Sequence, residues 1–326
     1  MITLSFFSYK GGSGRTSLIY NTIPFLVKKL GADNLHPIIL MDLDLDSAGL
    51  TYLLANEVVK NPNTSKLSTN ELISKKFSSE INSLKQKAKA AGSTTVDAWD
   101  LYKRMTPVGF QFGLTAKDYN ANNTVLFIPA SPKTSEGAGY DIDPTSSIKD
   151  FKQFAYSTGC SAIIFDLPAG HQVTGKQALQ KSDAVLVCLR ITKQHRDGTI
   201  DFLAGAARDC EFDQKYIIVP NAVPDCRKEI LIDGEPFNYE AVKNMFVGTL
   251  NNIFESNGLV DGQLITDMFD GEWYGVPEVA RFKIQEGIVY NMKQQQLQNG
   301  EQLLEDEELA YKAYDKLTDI IIRCKD

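Results

Sequence analysis

The sequence predicts an α/β protein built on a doubly wound, mostly parallel sheet, and three observations predict it. Short apolar runs recur at Ile2 to Ser8, Pro37 to Met41, Thr124 to Ile128, Ala162 to Phe165, Ala184 to Leu189 and Tyr216 to Val219. Several of these runs are apolar without alternation, the pattern of a strand covered on both faces. Helix-length stretches lie between them, as crossover connections between parallel strands require.

Composition bounds the rest. The chain has 326 residues, 43% hydrophobic and 23% charged, within the range of one large globular domain or two small ones. We read residues 1–326 as a single domain, with a polar insertion at about 56–122 and a mainly helical part from about 235. The insertion is rich in Asn, Ser, Thr and Lys, with seven lysines against two glutamates between 60 and 89, and residues 80 to 91 read as a helix. KEILIDGEPF, beginning at Lys228, reads as a hairpin around Asp233-Gly234. A final helix is expected from Glu301 to Lys325.

The five cysteines are odd in number and widely spaced, which argues against disulfides and zinc and for a reducing compartment. ITLSFFS at the N-terminus lacks the flank and cleavage site of a signal peptide, so a cytoplasmic protein is expected. No apolar run approaches the roughly 18 residues of a membrane span. A net charge of -7 disfavours indiscriminate nucleic-acid binding by the molecule as a whole.

The strongest chemical signal is Ser8-Tyr9-Lys10-Gly11-Gly12-Ser13-Gly14-Arg15-Thr16-Ser17, which follows an apolar strand and opens a helix-like segment ending near Gly31. Gly11, Gly12 and Gly14 permit backbone conformations in which successive N–H groups converge on phosphate oxygens, and the following helix N-terminus adds partial positive charge. Standing alone, such a loop is equally a strand-to-helix turn that binds nothing. Pro24 predicts a kink in that helix.

A strict GxxxxGK[ST] match fails twice, at Tyr9 and at Arg15, yet KGGxGxT is itself distinctive. The loop resembles the deviant Walker A motif of the ParA/MinD family of P-loop ATPases. In that family a second lysine, here matched by Lys10, reaches across an ATP-bound homodimer to the partner's nucleotide. The resemblance therefore implies ATP and Mg2+ as cofactors and an ATP-dependent homodimer. It implies that Gly11, Gly12, Ser13, Gly14, Arg15, Thr16 and Ser17 bind nucleotide, that Thr16 reaches the magnesium, and that Lys10 and Arg15 act in catalysis. Arg15 is bulkier than lysine and forks differently, so slow hydrolysis is expected.

Ile38 to Thr51 reads IILMDLDLDSAGLT, a strand delivering carboxylates at its C-terminal end, where open α/β sheets bind ligands. It resembles the family's switch I, which implies that Asp44 places the attacking water and the metal shell while Asp42 supports the loop. AIIFDLPAG at 162–170 resembles Walker B and switch II, which implies a magnesium-water role for Asp166 and an N–H from Gly170 to the terminal phosphate. YIIVPN, ending at Asn221, occupies the place of the family's adenine-reading strand; Asn221 is equally a turn residue before Pro224. His171 and His195 receive no catalytic role.

A nucleotide switch needs a readout surface. Arg190, Lys193, His195 and Arg196 cluster after a predicted strand and could bind DNA non-specifically, or could be a solvated face. A protein partner is also expected. A basic amphipathic membrane helix is not expected at the C-terminus, because 301–326 carries eight acids against four Lys or Arg. Its apolar side, Leu303, Leu304, Leu309, Leu317, Ile320, Ile321 and Ile322, is expected to pack back onto the protein. The leading expectation is a ParA-like partitioning or positioning ATPase. The alternatives are a non-hydrolysing ATP-binding module, a P-loop tyrosine kinase with Tyr311 and Tyr314 but no terminal tyrosine cluster, and a nitrogenase-iron-protein-like reductase whose bridging cysteines are missing.

Overall fold

The computed structural model describes residues 1–55, 67–73, 75–90, 99–114, 121–130, 144–170, 173–208, 214–258, 262–270, 274–283, 287–299 and 302–325. In chain order its first elements are β1 (Ile2–Phe7), α1 (Arg15–Leu30), β2 (Ile38–Asp42), α2 (Gly49–Leu54), α3 (Thr69–Leu72), α4 (Lys75–Ala90), α5 (Trp99–Tyr102), β3 (Thr106–Pro107), β4 (Val125–Ile128), α6 (Pro144–Ser157), β5 (Ala162–Asp166) and α7 (Val173–Lys181). These are followed by β6 (Ala184–Leu189), α8 (Lys193–Arg208), β7 (Lys215–Val223), β8 (Leu231–Ile232), β9 (Glu235–Pro236), α9 (Tyr239–Ser256), β10 (Leu264–Ile265), β11 (Val276–Pro277), α10 (Val289–Asn299) and α11 (Glu305–Arg323). The chain divides into two compact units, one of Met1–Ser5 with Leu26–Ser182 and one of Phe6–Phe25 with Asp183–Asp326.

In the first unit β2 is the centre. It pairs in parallel with β5, Ile38 to Asp42 against Ala162 to Asp166, and with β4, Ile38 to Met41 against Val125 to Ile128. Every residue of these three strands is buried, which is why their sequences are apolar without alternation. The edge strand β3 runs antiparallel to β4. Helices α4 and α6 pack together, as do α6 and α7.

The insertion predicted at about 56–122 is more deeply folded than its polar composition suggested. Leu67, Leu72, Ile73, Ile81, Leu101, Met105, Val108 and Phe112 are buried. Arg104 ties the described part together: its guanidinium donates to Glu71 and, at 2.7 Å, to Glu80 Oε1. Thr69 joins the segment to the sheet by donating from Oγ1 to the carbonyl of Asp42 at 2.7 Å.

In the second unit β6 and β7 pair in parallel from Ala184–Lys215 to Leu189–Pro220, and β7 also pairs in parallel with β10 and β11. Helices α8 and α9 pack together. The hairpin β8–β9 turns at Asp233 and Gly234, both at positive φ (54° and 85°), the left-handed pair that a two-residue Asp-Gly turn needs. Helix α1 continues through Pro24. Next to that proline, Phe25 is buried against Tyr290, Tyr311 and Tyr314, with ring centroids 5.1, 5.0 and 6.3 Å away. Asn21, also buried, accepts from Val289 N at 3.0 Å and donates to Gly287 O at 3.1 Å.

The last helix buries Leu309, Ala310, Ala313, Tyr314, Leu317, Ile320 and Ile321, a stripe at helical spacing that contains Leu309, Leu317, Ile320 and Ile321 as expected; Leu304, expected on the same side, is exposed, and Leu303 and Ile322 are half-buried. Four acids in its first turn suit the positive end of the helix dipole. Among the described residues no helix is long and apolar enough to cross a membrane.

Replacing Phe25 by Ala is expected to lower unfolding free energy by about 3–5 kcal/mol, the usual result of emptying a buried aromatic site. The exposed Tyr156 replaced by Ala should change it by less than about 0.5 kcal/mol. Urea unfolding of both variants checks this, and equal midpoints would remove Phe25 from the core.

Candidate functional site

The glycine-rich loop belongs to the second unit. Strand β1 is buried throughout and delivers Ser8, itself buried, to the start of the loop, and α1 begins at Arg15. Gly12 and Gly14 take φ of 78° and 82°, which residues with a Cβ adopt at a cost. A Cβ on Gly14 would lie 2.4 Å from the amide nitrogen of Asn221. Beside Gly11 and Gly12 there is open space: no atom lies within 4 Å of where their Cβ atoms would be.

Three side chains from the ends of β6 and β7 fasten the loop by its carbonyls. Arg190 Nε donates to Gly12 O at 2.9 Å, Cys188 Sγ to Ser13 O at 3.4 Å, and Asn221 Nδ2 to Ser13 O at 2.9 Å and to Gly14 O at 3.2 Å. In a trans peptide the C=O of one residue and the N–H of the next point in opposite directions. Carbonyls of Gly12, Ser13 and Gly14 drawn toward β6 and β7 therefore direct the N–H groups of Ser13, Gly14 and Arg15 the other way. N–H groups aligned on one side at the start of a 16-residue helix make an anion cradle.

Around this cradle the predicted residues are distributed by burial. Lys10, Gly11, Gly12 and Ser17 are exposed, Gly14 and Thr16 are half-buried, and Ser13 is buried. Arg15 is 8% exposed and its guanidinium donates to Ser8 Oγ at 2.9 Å, folding back to where the loop begins. Burial and the positive charges of Arg190 and Lys10 lower the pKa of His195, so the field here is cationic. Lys193 is exposed; Arg196 is half-buried, with its Nε buried and without a hydrogen-bond partner among the described residues. His171 lies outside the described residues.

Beside Gly14 and Ser17 a cavity of about 200 Å³ is walled by Asn221, Val276, Pro277, Phe282 and Tyr314. Its size and partly apolar wall suit a planar base. Sequence reasoning found Asn221 but missed β11. The Gly275-Val276-Pro277 sequence held the signal: Gly275, at φ 107°, has no room for a Cβ, which would lie 2.2 Å from Pro220 O. It also missed that Arg190, assigned to a surface patch, holds Gly12, and that Tyr9 lays its ring against Gly198 in α8, where a Cβ would be 2.1 Å from it.

The carboxylates belong to the first unit, with Asp42 and Asp166 side by side in register at the ends of β2 and β5. Asp42 is fully buried and accepts from Asp44 N (3.0 Å), Thr51 N (2.9 Å) and Thr51 Oγ1 (2.7 Å). Burial first, and Asp166 second, raise its pKa to about 7 against the lowering pull of those bonds. Asp44 accepts from Ser47 N at 3.1 Å through its carboxylate and from Ala48 N at 2.8 Å through its carbonyl, closing a turn in which Ala48 is left-handed. Gly170, at φ 77°, is half-buried. Among the described residues no group of three or more His, Cys, Asp or Glu could hold a metal ion. Carboxylate oxygens such as those at the ends of β2 and β5 are hard donors, which suit Mg2+ rather than zinc.

No family model matches the chain, and no curated protein matches it by sequence. Solved structures do match its fold. A ParA family ATPase from Chlorobium tepidum aligns with a TM-score of 0.56 at 14% identity, covering 97% of this chain and 98% of its own. An ATP complex of a point variant of McdA from Cyanothece aligns at 0.53 and 15% identity, covering 98% and 96%. MinD of Pyrococcus horikoshii, solved with Mg-ADP, aligns at 0.52 and 13% identity, covering 98% and 95%. A mostly parallel sheet with flanking helices, aligned with these proteins over nearly its whole length, gives this chain the fold of the ParA/MinD-type ATPases.

Proposed function

We propose that this protein is a ParA-like ATPase that binds ATP and Mg2+, hydrolyses ATP slowly, and uses the nucleotide to switch between monomer and homodimer in partitioning or positioning a cargo. The observation that carries the proposal is the loop from Ser8 to Ser17, whose carbonyls are fastened on one side so that its N–H groups are presented on the other. The solved neighbours support it: one is a ParA family ATPase, one is McdA holding ATP and one is MinD holding Mg-ADP.

On this reading Gly11 to Ser17 hold the triphosphate and the cavity beside Asn221 takes the base. Following the sequence resemblance, Thr16, Asp44 and Asp166 serve the metal, Gly170 meets the terminal phosphate through its N–H, and Asp44 orients the attacking water. The magnesium supplies charge neutralisation on the phosphate oxygens. Lys10, exposed at the rim of the loop, is free in position to meet a partner's nucleotide, which its family counterpart does. Arg190 spends only its Nε on Gly12, so non-specific DNA contact falls to Arg190, Lys193 and Arg196, doubled by dimerisation; competition with salt is its diagnostic.

One observation favours a second reading, an ATP-binding module that does not turn over. The Arg15 guanidinium is bonded to Ser8, at the position where a Walker lysine would reach the terminal phosphates. Restoring lysine separates the two. Arg15→Lys should raise turnover roughly tenfold if the arginine only slows hydrolysis, and leave it at background if the protein is a binding module.

ATP turnover and sizing by light scattering test the main proposal. Lys10→Ala should bind ATP nearly as well as wild type but lose about 100-fold in turnover together with the ATP-dependent dimer, a loss typical of removing one transition-state cation; unchanged dimer and turnover would reject the cross-subunit role. Asn221→Ala frees the carbonyls of Ser13 and Gly14 and should weaken ATP binding by about 5- to 30-fold, roughly 1–2 kcal/mol. Titration with a fluorescent ATP analogue measures it.

A further inference from the structure

In the first unit, Asp44 stands two residues beyond Asp42, where β2 ends, and the peptide linking Asp42 to Leu43 is held at both edges. Leu43 N donates to Asp166 O at 2.8 Å on the β5 side. The carbonyl of Asp42, pointing the opposite way in a trans peptide, accepts from Thr69 Oγ1 at 2.7 Å on the β4 side. The β2–β4 ladder has by then stopped, at Met41 and Ile128. Pro129 follows with no N–H to offer, and Ala130 gives its own to Thr51 Oγ1 at 2.8 Å. A hydroxyl from the insertion therefore stands in for a strand amide.

Thr69 is fully buried, and its own N donates to Pro129 O at 2.9 Å. Arg104 brackets it: its carbonyl accepts from Leu67 N at 2.7 Å, two residues before, and its guanidinium donates to Glu71, two residues after, and to Glu80 Oε1 at 2.7 Å. The side chains of Arg104 and Glu80 are 28% and 41% exposed, so this node lies at the surface while the bond that it supports lies in the core. The insertion also holds the far end of the Asp44 segment, since Gln111 Nε2 donates to Leu54 O, at the end of α2, at 2.8 Å. Between these two grips lies the turn from Asp44 to Ala48, in which Asp46 and Ser47 are exposed.

We propose that Arg104 and Thr69 are positioning residues for Asp44, a relay that carries the state of the insertion's surface to the carboxylate of the magnesium site. The relay rests on the ATPase reading for what Asp44 does, but not for where Asp44 is held. Without the Thr69 hydroxyl the Asp42 carbonyl is left buried and unpaired, and the peptide plane from which the Asp44 turn starts loses its hold on the β4 side. Releasing the Arg104 guanidinium unties Glu71, and with it the single turn of α3 that begins at Thr69.

Hydrogen exchange of the full chain without nucleotide, read by mass spectrometry, tests the relay. Thr69→Val, which keeps the branched shape and loses the donor, should speed exchange over residues 43–51 about tenfold and leave β5 and α9 as in wild type. Thr69→Ser, which keeps the hydroxyl, should restore wild-type exchange. Arg104→Gln should give the same local pattern at about threefold, and it carries the test where Thr69→Val fails to fold. In ATP turnover the Mg2+ needed for half-maximal rate should rise about tenfold in Thr69→Val and about threefold in Arg104→Gln, with ATP binding in the absence of metal unchanged. Wild-type exchange over 43–51 in either variant, acceleration spread equally through β4 and β5 as a merely structural loss gives, or an unmoved Mg2+ requirement would overturn the relay. The exchange arm needs no nucleotide, so absence of turnover in wild type would reject the ATPase reading while exchange still decides the relay.

Discussion

The planar trans peptide is the constraint on which the nucleotide reading depends. Once Arg190, Cys188 and Asn221 hold the carbonyls of Gly12, Ser13 and Gly14, the direction of the next three N–H groups is no longer a choice for the loop to make. Glycine at positions 12 and 14 makes that arrangement attainable, because both φ values are positive. Preorganisation of this kind matters energetically: donors fixed in advance need no reordering when an anion arrives. The fastening side chains lie more than 170 residues further along the chain, so a local motif is set by distant contacts.

A similar division of labour separates two acids only two residues apart. Asp42 spends its carboxylate on Thr51 and on the backbone of Asp44, and is fully buried. Those bonds shape the turn that carries Asp44, whose own carboxylate caps Ser47. Asp42 also lies in register with Asp166 on the adjacent strand, and burial first, with that second negative charge next, pushes its pKa up to about 7.

Much of this was legible in the sequence. The six apolar runs appear as strands because burial on both faces leaves little room for polar residues, and the Asp233-Gly234 turn appears because its backbone conformation narrows the choice of residue. Three strands were not legible: β3, β10 and β11 have two residues each, too few for any periodicity. The buried part of the insertion was hidden for a different reason. Its apolar residues are spread singly among polar ones, and Thr69 and Arg104 join it to the fold through contacts that composition does not reveal. The glycine loop could be read, but not the partners of its carbonyls. Asn221 stood out as a strand-end carboxamide without showing that its amide would face the loop, and Arg190 looked like surface charge because its partner is a backbone atom.

Tyr9 sits where an ordinary phosphate-binding loop begins with glycine, and its ring fills the notch that Gly198 leaves in α8. The notch has no spare volume, so the ring acts as a steric stop between the loop and the helix bearing Lys193 and Arg196. Displacing the start of the loop toward α8 has to push the helix or swing the tyrosine out. In this way a bulky residue in an unusual place turns two neighbouring elements into a mechanical couple.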